Sequence, residues 1–179
     1  MKQLEIQIPT QVKINKLDQT LIFSNISNES NLKISKLINI NIKDNLLILI
    51  PRNEHSKIIN KKLLGLYKKL IQNLIKGLSQ NFKIVLNLNG IGFKANLINQ
   101  ELVFKLGFSH PVILKIPTTI KVQIFKSTQI VLSGHNLNEV TQFAHNIKKF
   151  KKPDSYKGKG ILLTYEKPVS IKEGKRNKR

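Results

Sequence analysis

Ile and Leu alternate with Lys, Asn and Gln through most of the first fifty residues, and a two-residue period marks strands with one buried face. It predicts short strands at Leu4–Ile8, Val12–Ile14, Leu21–Phe23, Leu32–Ile34, Ile38–Ile42 and Leu46–Ile50. Asn and Ser clusters from Ser24 to Asn31, and Lys43-Asp44-Asn45, read as turns, and Pro51 ends the run. The period then lengthens. From Ser56 to about Gln80, apolar residues fall at Ile59, Leu63, Leu66, Leu70, Leu74 and Leu78, flanked by Ile58, Tyr67, Ile71 and Ile75. This predicts one long amphipathic helix, with that stripe on the sheet and lysines on its other sides. Gly65 and Gly77 each cost about 1 kcal/mol relative to Ala, so close packing or an end at Gly77 is expected.

A second run of strands follows: Phe82–Leu88, Phe93–Ile98, Leu102–Leu106, Val112–Ile116, Ile120–Phe125 and Gln129–Leu132. A helix is expected from Asn138 to about Phe150, with Val140, Phe143, Ala144 and Ile147 inward and Glu139 near its positive end. Ile8-Pro9-Thr10-Gln11-Val12-Lys13-Ile14 has a likeness 108 residues on, in Ile116-Pro117-Thr118-Thr119-Ile120-Lys121-Val122. Strands-then-helix occurs twice. The expectation is an α+β fold of two tandem similar domains, each an antiparallel sheet packed against one helix, with a basic C-terminal extension. The boundaries are drawn at 1–81, 82–152 and 153–179.

Charge changes the picture from fold to partner. The chain has 31 Lys and Arg against 10 Asp and Glu, a net charge of +21. That balance implies a polyanionic partner, nucleic acid or an acidic membrane surface. From Lys148 onward, 12 basic residues face 3 acidic ones, around Tyr156 and the glycines Gly158 and Gly160. Glycine lets a polyanionic backbone approach closely, Lys157 and Lys159 can neutralise phosphates, and Tyr156 offers a flat apolar face. A solvated basic tail with a glycine turn reads equally well from these residues alone. The lysines of the long helix suit anionic lipid or phosphate, but a solvated helix face fits them better.

Other chemistry is hard to build. With no cysteine, disulfides and thiolate-bound metals are excluded. His55, His110, His135 and His145 show no metal-ligand spacing, and the scattered carboxylates form no nuclease pair. Lys157-Gly158-Lys159-Gly160 has the wrong spacing for a phosphate loop, and Gly90-Ile91-Gly92 leads into a strand where a dinucleotide site needs a helix. No cofactor or metal is expected, and the chain reads as a binding protein rather than an enzyme. No apolar run reaches membrane-spanning length. Without an aromatic ladder, the expected mode is backbone and shape recognition of folded RNA, with Ser109-His110-Pro111 as one polar-tipped turn.

Together these residues resemble the sixth protein of the large ribosomal subunit, the universal L-six family. The matches are Leu88-Asn89-Gly90-Ile91-Gly92-Phe93-Lys94-Ala95, Leu106-Gly107-Phe108-Ser109-His110-Pro111-Val112 and Tyr156-Lys157-Gly158-Lys159-Gly160-Ile161, with Gly65 to Leu78 following the family's helix pattern. The resemblance implies a structural role on large-subunit rRNA beside the sarcin–ricin loop and stalk base. Neighbouring large-subunit proteins would be the other partners, with no membrane as primary partner and no homo-oligomer. It implies rRNA contacts at Gly90, Gly92, Lys94, Ser109 and His110. More would follow at Lys148, Lys149, Lys151, Lys152, Tyr156, Lys157, Gly158, Lys159 and Gly160, and then at Lys172, Lys175, Arg176, Lys178 and Arg179. The chain departs from the family at Leu162 and Leu163, where a basic residue and an aromatic are usual. Lys, Ile and Asn supply 73 of the 179 residues, a skew that favours A/T-rich codons. With strand-like sequence beginning almost at Met1, this suggests a mitochondrial ribosome in the matrix, encoded in the organelle. A plastid-type organelle or a bacterial cytoplasm is the alternative.

Overall fold

Alternation of branched and polar residues builds thirteen strands among the described residues, and lengthening of the period builds two helices. The computed structural model describes residues 4–25, 28–43, 45–52, 57–154 and 158–166. The chain divides into two compact units, Met1–Asn81 with His135–Leu137, and Phe82–Gly134 with Asn138–Arg179.

The first unit runs β1 (Leu4–Gln7), β2 (Lys13–Leu17), β3 (Thr20–Ser24), β4 (Glu29–Lys33), β5 (Ile38–Lys43), β6 (Leu46–Pro51) and α1 (Lys57–Ser79). Two antiparallel sheets result, ordered β1-β6-β5 and β2-β3-β4. In register, Ile6 lies opposite Leu47 and Leu21 opposite Leu32, so inward residues meet across the strands. Leu21, Phe23, Leu47, Leu49 and Ile71 have no exposed surface and form the centre of this core.

α1 meets that core on a face rotated from the expected stripe. Leu64, Ile71, Ile75 and Leu78 are buried, while Ile59 and Leu66 are 46% and 54% exposed. Apolar residues surround this helix too widely for spacing to choose a face; the sheets choose it. Each buried side chain contributes about 1.5–3 kcal/mol. The helix also passes through Gly77, which is buried, and ends at Ser79. Tyr67 ties α1 to the loop before β5 by accepting the Ser35 N–H at 2.9 Å.

The second unit repeats the order with β7 (Phe82–Asn89), β8 (Lys94–Ile98), β9 (Glu101–Lys105), β10 (Val112–Lys115), β11 (Lys121–Phe125), β12 (Gln129–Gly134) and α2 (Leu137–Phe150), then adds β13 (Gly160–Leu163). Its sheets are ordered β11-β12-β7-β13 and β10-β9-β8. Val140, Phe143, Ala144 and Ile147 of α2 are buried, as the spacing predicts. β13 is an element that the sequence pattern does not predict. It lies within the expected basic extension but pairs antiparallel with β7, burying Ile161, Leu162 and Leu163. An unbroken apolar run is buried on both faces, so it carries no alternation to read.

The duplication is a property of topology, and the sequence likeness that suggested it joins non-equivalent corners. β1 to β6 and α1 correspond in order to β7 to β12 and α2. The Ile34 N–H donates to Gln19 O, and the Ile116 N–H donates to Gln100 O at the same place in the second unit. Gln19 and Gln100 are 81 positions apart, not 108. Each unit crosses between its sheets twice, through a turn closed by an i to i+3 bond. These are Val12 N–H to Pro9 O and Ile38 N–H to Ser35 O in the first unit, and Phe93 N–H to Gly90 O and Ile120 N–H to Pro117 O in the second. Ile8–Ile14 and Ile116–Val122 look alike because both make such a crossing.

Candidate nucleic-acid interface

Phe93 is the centre of the glycine-rich end of the second unit. The turn from β7 to β8 is Gly90-Ile91-Gly92-Phe93, and Gly92 sits at φ +78°, a region glycine enters without strain. The turn folds the Phe93 ring back beneath itself. A Cβ at Gly90 would lie 2.7 Å from Phe93 Cδ2, and one at Gly107 would lie 3.5 Å from Phe93 Cε1. One buried ring thus supports both the Gly90–Gly92 turn and the loop after β9. Ile91 stands at the tip of the turn, 93% exposed, and Lys94 is exposed beside it.

Beyond β9, Leu106 is buried and Gly107 turns at φ +77°, leaving Phe108, Ser109 and His110 outside. The Ser109 hydroxyl lies 3.4 Å from His110 Nδ1. The end of α2 reaches the same strand, where the Phe150 and Phe104 rings pack with centroids 5.8 Å apart. The Lys151 ammonium then sits over the Phe108 ring at 4.8 Å from its centroid. Such a contact is worth about 0.5–1 kcal/mol at an exposed site. It holds one cation in place on an apolar support, and Lys149, Lys152 and Lys159 of the same stretch of chain are exposed.

Lys148 is differently employed. Its ammonium is 2.5 Å and 2.6 Å from the two carboxylate oxygens of Glu166. The hydrogen bond from Lys148 is the main reason the Glu166 carboxyl sits below its ordinary value, with the Leu163 N–H adding to the effect against desolvation. This pair fastens the segment after β13 to α2, and gives Lys148, one of the residues the resemblance marks for rRNA contact, a partner within the fold.

Residues 151–154 are bonded to residues 158–161. The Asp154 N–H donates to Lys159 O at 2.8 Å, the Gly158 N–H to Asp154 O at 2.9 Å and the Ile161 N–H to Lys151 O at 2.9 Å. Gly160 is buried at φ +149°, where a Cβ would meet Pro153 Cα at 2.5 Å and Lys152 O at 2.7 Å. What approaches Gly160 is the chain's own backbone, so here the missing Cβ serves the fold. Gly158 sits at φ +62°.

Three loops therefore converge within the second unit, carrying Gly90, Gly92, Lys94, Ser109, His110, Lys151, Lys152 and Lys159, with Lys149 at the end of α2. Tyr156, Lys157, Lys172, Lys175, Arg176, Lys178 and Arg179 lie outside the described residues. The sequence reading did not single out Phe93 or Phe108 as supports. Their signal was the placing of each aromatic beside a turn glycine, in Gly92-Phe93 and Gly107-Phe108. Ammonium groups displayed on rigid apolar supports can hold a polyanion without acting on it. Among the described residues no three His, Cys, Asp or Glu gather as metal ligands, and no helix is long and apolar enough to cross a membrane.

The class the fold defines is a two-unit α+β protein whose second unit exposes lysines beside glycine-rich turns. The model of the ribosomal protein L6 family matches residues 89–163, the stretch holding all three loops. The chain is 36% identical to large ribosomal subunit protein uL6c of Phaeodactylum tricornutum, over 93% of each chain. It is 37% identical to uL6c of Guillardia theta, over 92% of this chain and 90% of that one. It is 34% identical to large ribosomal subunit protein uL6 of Helicobacter hepaticus, over 97% of this chain and 96% of that one. The chain belongs to the ribosomal protein L6 family, whose members are structural proteins and not enzymes.

Proposed function

We propose that this protein is a structural constituent of the large ribosomal subunit and binds large-subunit rRNA near the sarcin–ricin loop and stalk base. The observation that carries this reading is the meeting of three loops at Phe93 and Phe108, with Lys151 over the Phe108 ring and Lys94, Lys149, Lys152 and Lys159 exposed in or next to the same segments. Exposed ammonium groups beside loops braced by buried rings suit the phosphates of a folded RNA, and the exposed Ser109 and His110 can donate to backbone oxygens. Residues 153–179 act in this reading as a basic anchor, with Gly160–Leu163 fastening it into the sheet. The protein works as a single copy among neighbouring large-subunit proteins.

The likeness to uL6c proteins favours a plastid-type ribosome, and the Lys, Ile and Asn skew supports an A/T-rich encoding genome. A mitochondrial or bacterial ribosome is the alternative compartment. The direct test is co-sedimentation of the tagged full chain with large ribosomal subunits from fractionated cells. Enrichment in the large-subunit peak of one fraction supports both role and compartment; a chain that stays at the top of the gradient refutes the role.

A further inference from the structure

Duplication has given the two units the same pocket, and the first unit has made its copy cationic. In the second unit a cavity of about 270 Å³ is lined by Leu97, Gln100, Ile116, Thr118, Ile120 and Val122, together with Pro117. In the first unit a cavity of about 320 Å³ occupies the corresponding corner. Gln19 stands there for Gln100, Ile34 for Ile116, Ile38 for Ile120 and Ile40 for Val122, by the same strand order and the same Ile-to-Gln backbone bond. Two differences stand out. Lys16 replaces Leu97, and Lys36 replaces Thr118. The first pocket is lined by three cations, Lys16, Lys36 and Arg52, and one carboxylate, Asp18; no charged residue lines its sister.

Two of the three cations are held in place. Lys16 Nζ donates to Ile40 O at 3.1 Å, and Arg52 donates through Nε to Asn39 Oδ1 at 3.1 Å and through its backbone N–H to Leu37 O at 2.9 Å. Each of the two side-chain contacts uses a single donor, whereas an ammonium has three and a guanidinium five. Leu21, Ile34, Ile38 and Ile40 lie beneath, each less than a tenth exposed, so the surface a ligand meets is the polar rim of Gln19, Ser35 and Asn39 with the three cations. A cavity of this volume lies at the small end of ligand pockets and admits one nucleotide unit, not a duplex.

We propose that this corner of the first unit is a binding site for a phosphorylated nucleoside, with the phosphate among Lys16, Lys36 and Arg52 and the nucleoside against the polar rim of Gln19, Ser35 and Asn39. Charge complementarity selects the phosphate, and the amide and hydroxyl groups of Gln19, Asn39 and Ser35 select an attached nucleoside over a bare anion. The ligand is either a free nucleotide or an unpaired nucleotide of RNA, which share this chemistry. The site is independent of the rRNA surface assigned to the second unit.

The test is amide-resolved titration of the full ¹⁵N-labelled chain with adenosine 5′-monophosphate, adenosine, inorganic phosphate and a short single-stranded RNA. The monophosphate should move the Gln19, Ser35 and Lys36 amides saturably, bind more tightly than adenosine or phosphate, and leave Gln100 and Thr118 in place. The double change Lys16→Leu, Lys36→Thr copies the residues of the sister pocket, so the fold should accept it. It should weaken binding about tenfold, the effect of losing two solvent-exposed cations. The single change Lys36→Gln, on an exposed turn, should show the same direction if the double variant folds poorly. Tighter binding of the RNA than of the monophosphate identifies an RNA nucleotide as the source; the reverse identifies a free nucleotide. Shifts confined to second-unit lysines, equal shifts at both corners, or phosphate binding as tightly as the monophosphate would overturn the assignment.

Discussion

Replacing Gly160 by Ala tests whether the last strand is locked by backbone contact. The added Cβ would sit 2.5 Å from Pro153 Cα and 2.7 Å from both Pro153 N and Lys152 O. These are main-chain atoms, which cannot swing aside as a side-chain tip can. Overpacking of this kind costs about 1–3 kcal/mol. The φ of +149° adds strain of about 1–3 kcal/mol for a residue with a Cβ. The sum is about 2–6 kcal/mol, comparable with burying the side chains of Ile161 and Leu163, which β13 does almost completely. Gly92→Ala is the control: its φ is +78° but no atom lies within 4 Å of the added Cβ, so only the backbone strain of about 1–2 kcal/mol applies. Urea unfolding of both variants measures the difference, and amide exchange in 160–163 reports whether β13 has come loose. If Gly160→Ala costs no more than Gly92→Ala, the backbone lock on β13 does not exist.

Three further outcomes follow from the same geometry. Gly65 lies in α1 with open space where its Cβ would be, so Gly65→Ala should stabilise the first unit by about 0.5–1 kcal/mol in thermal or urea unfolding. Leu64→Ala should cost about 2–5 kcal/mol while Leu66→Ala costs within about 0.5 kcal/mol, because the first is buried and the second more than half exposed. The Glu166 carboxyl is held below its ordinary value of 4.5, so it stabilises the fold above that pH, and the contribution fades as pH falls through the lowered value. Glu166→Gln should therefore be less stable than the parent by about 0.5 kcal/mol at neutral pH and level with it in strong acid; an equal gap at both pH values would refute the pairing with Lys148.

The sequence carried α2 fully, because its apolar residues occupy one narrow face and polar residues fill the rest. It carried α1 only as a helix, since Leu63, Leu64, Leu66, Leu70 and Ile71 cover too much of the circumference for spacing to choose between faces. β13 was hidden by its own burial: Ile161-Leu162-Leu163 shows no alternation and lies among charged residues. The duplication was legible in the order of elements but not in its register, because the sheet-crossing turns resemble one another more than the equivalent strands do. At the interface, the glycines and lysines were visible as residue types. The pairing of Lys148 with Glu166, the support of two loops by Phe93 and the approach of Pro153 to Gly160 depend on contacts between distant segments, which no local pattern encodes.

The salt dependence of binding to a large-subunit rRNA fragment, compared between the full chain and a Lys94→Ala, Lys149→Ala, Lys152→Ala, Lys159→Ala variant, tests the central claim most directly. Each phosphate contact removed lowers the slope of log affinity against log salt by about 0.9 for duplex RNA-like geometry, so four lost contacts should flatten it by about three to four. A slope that is the same in both proteins would contradict the account and put the polyanion on another surface.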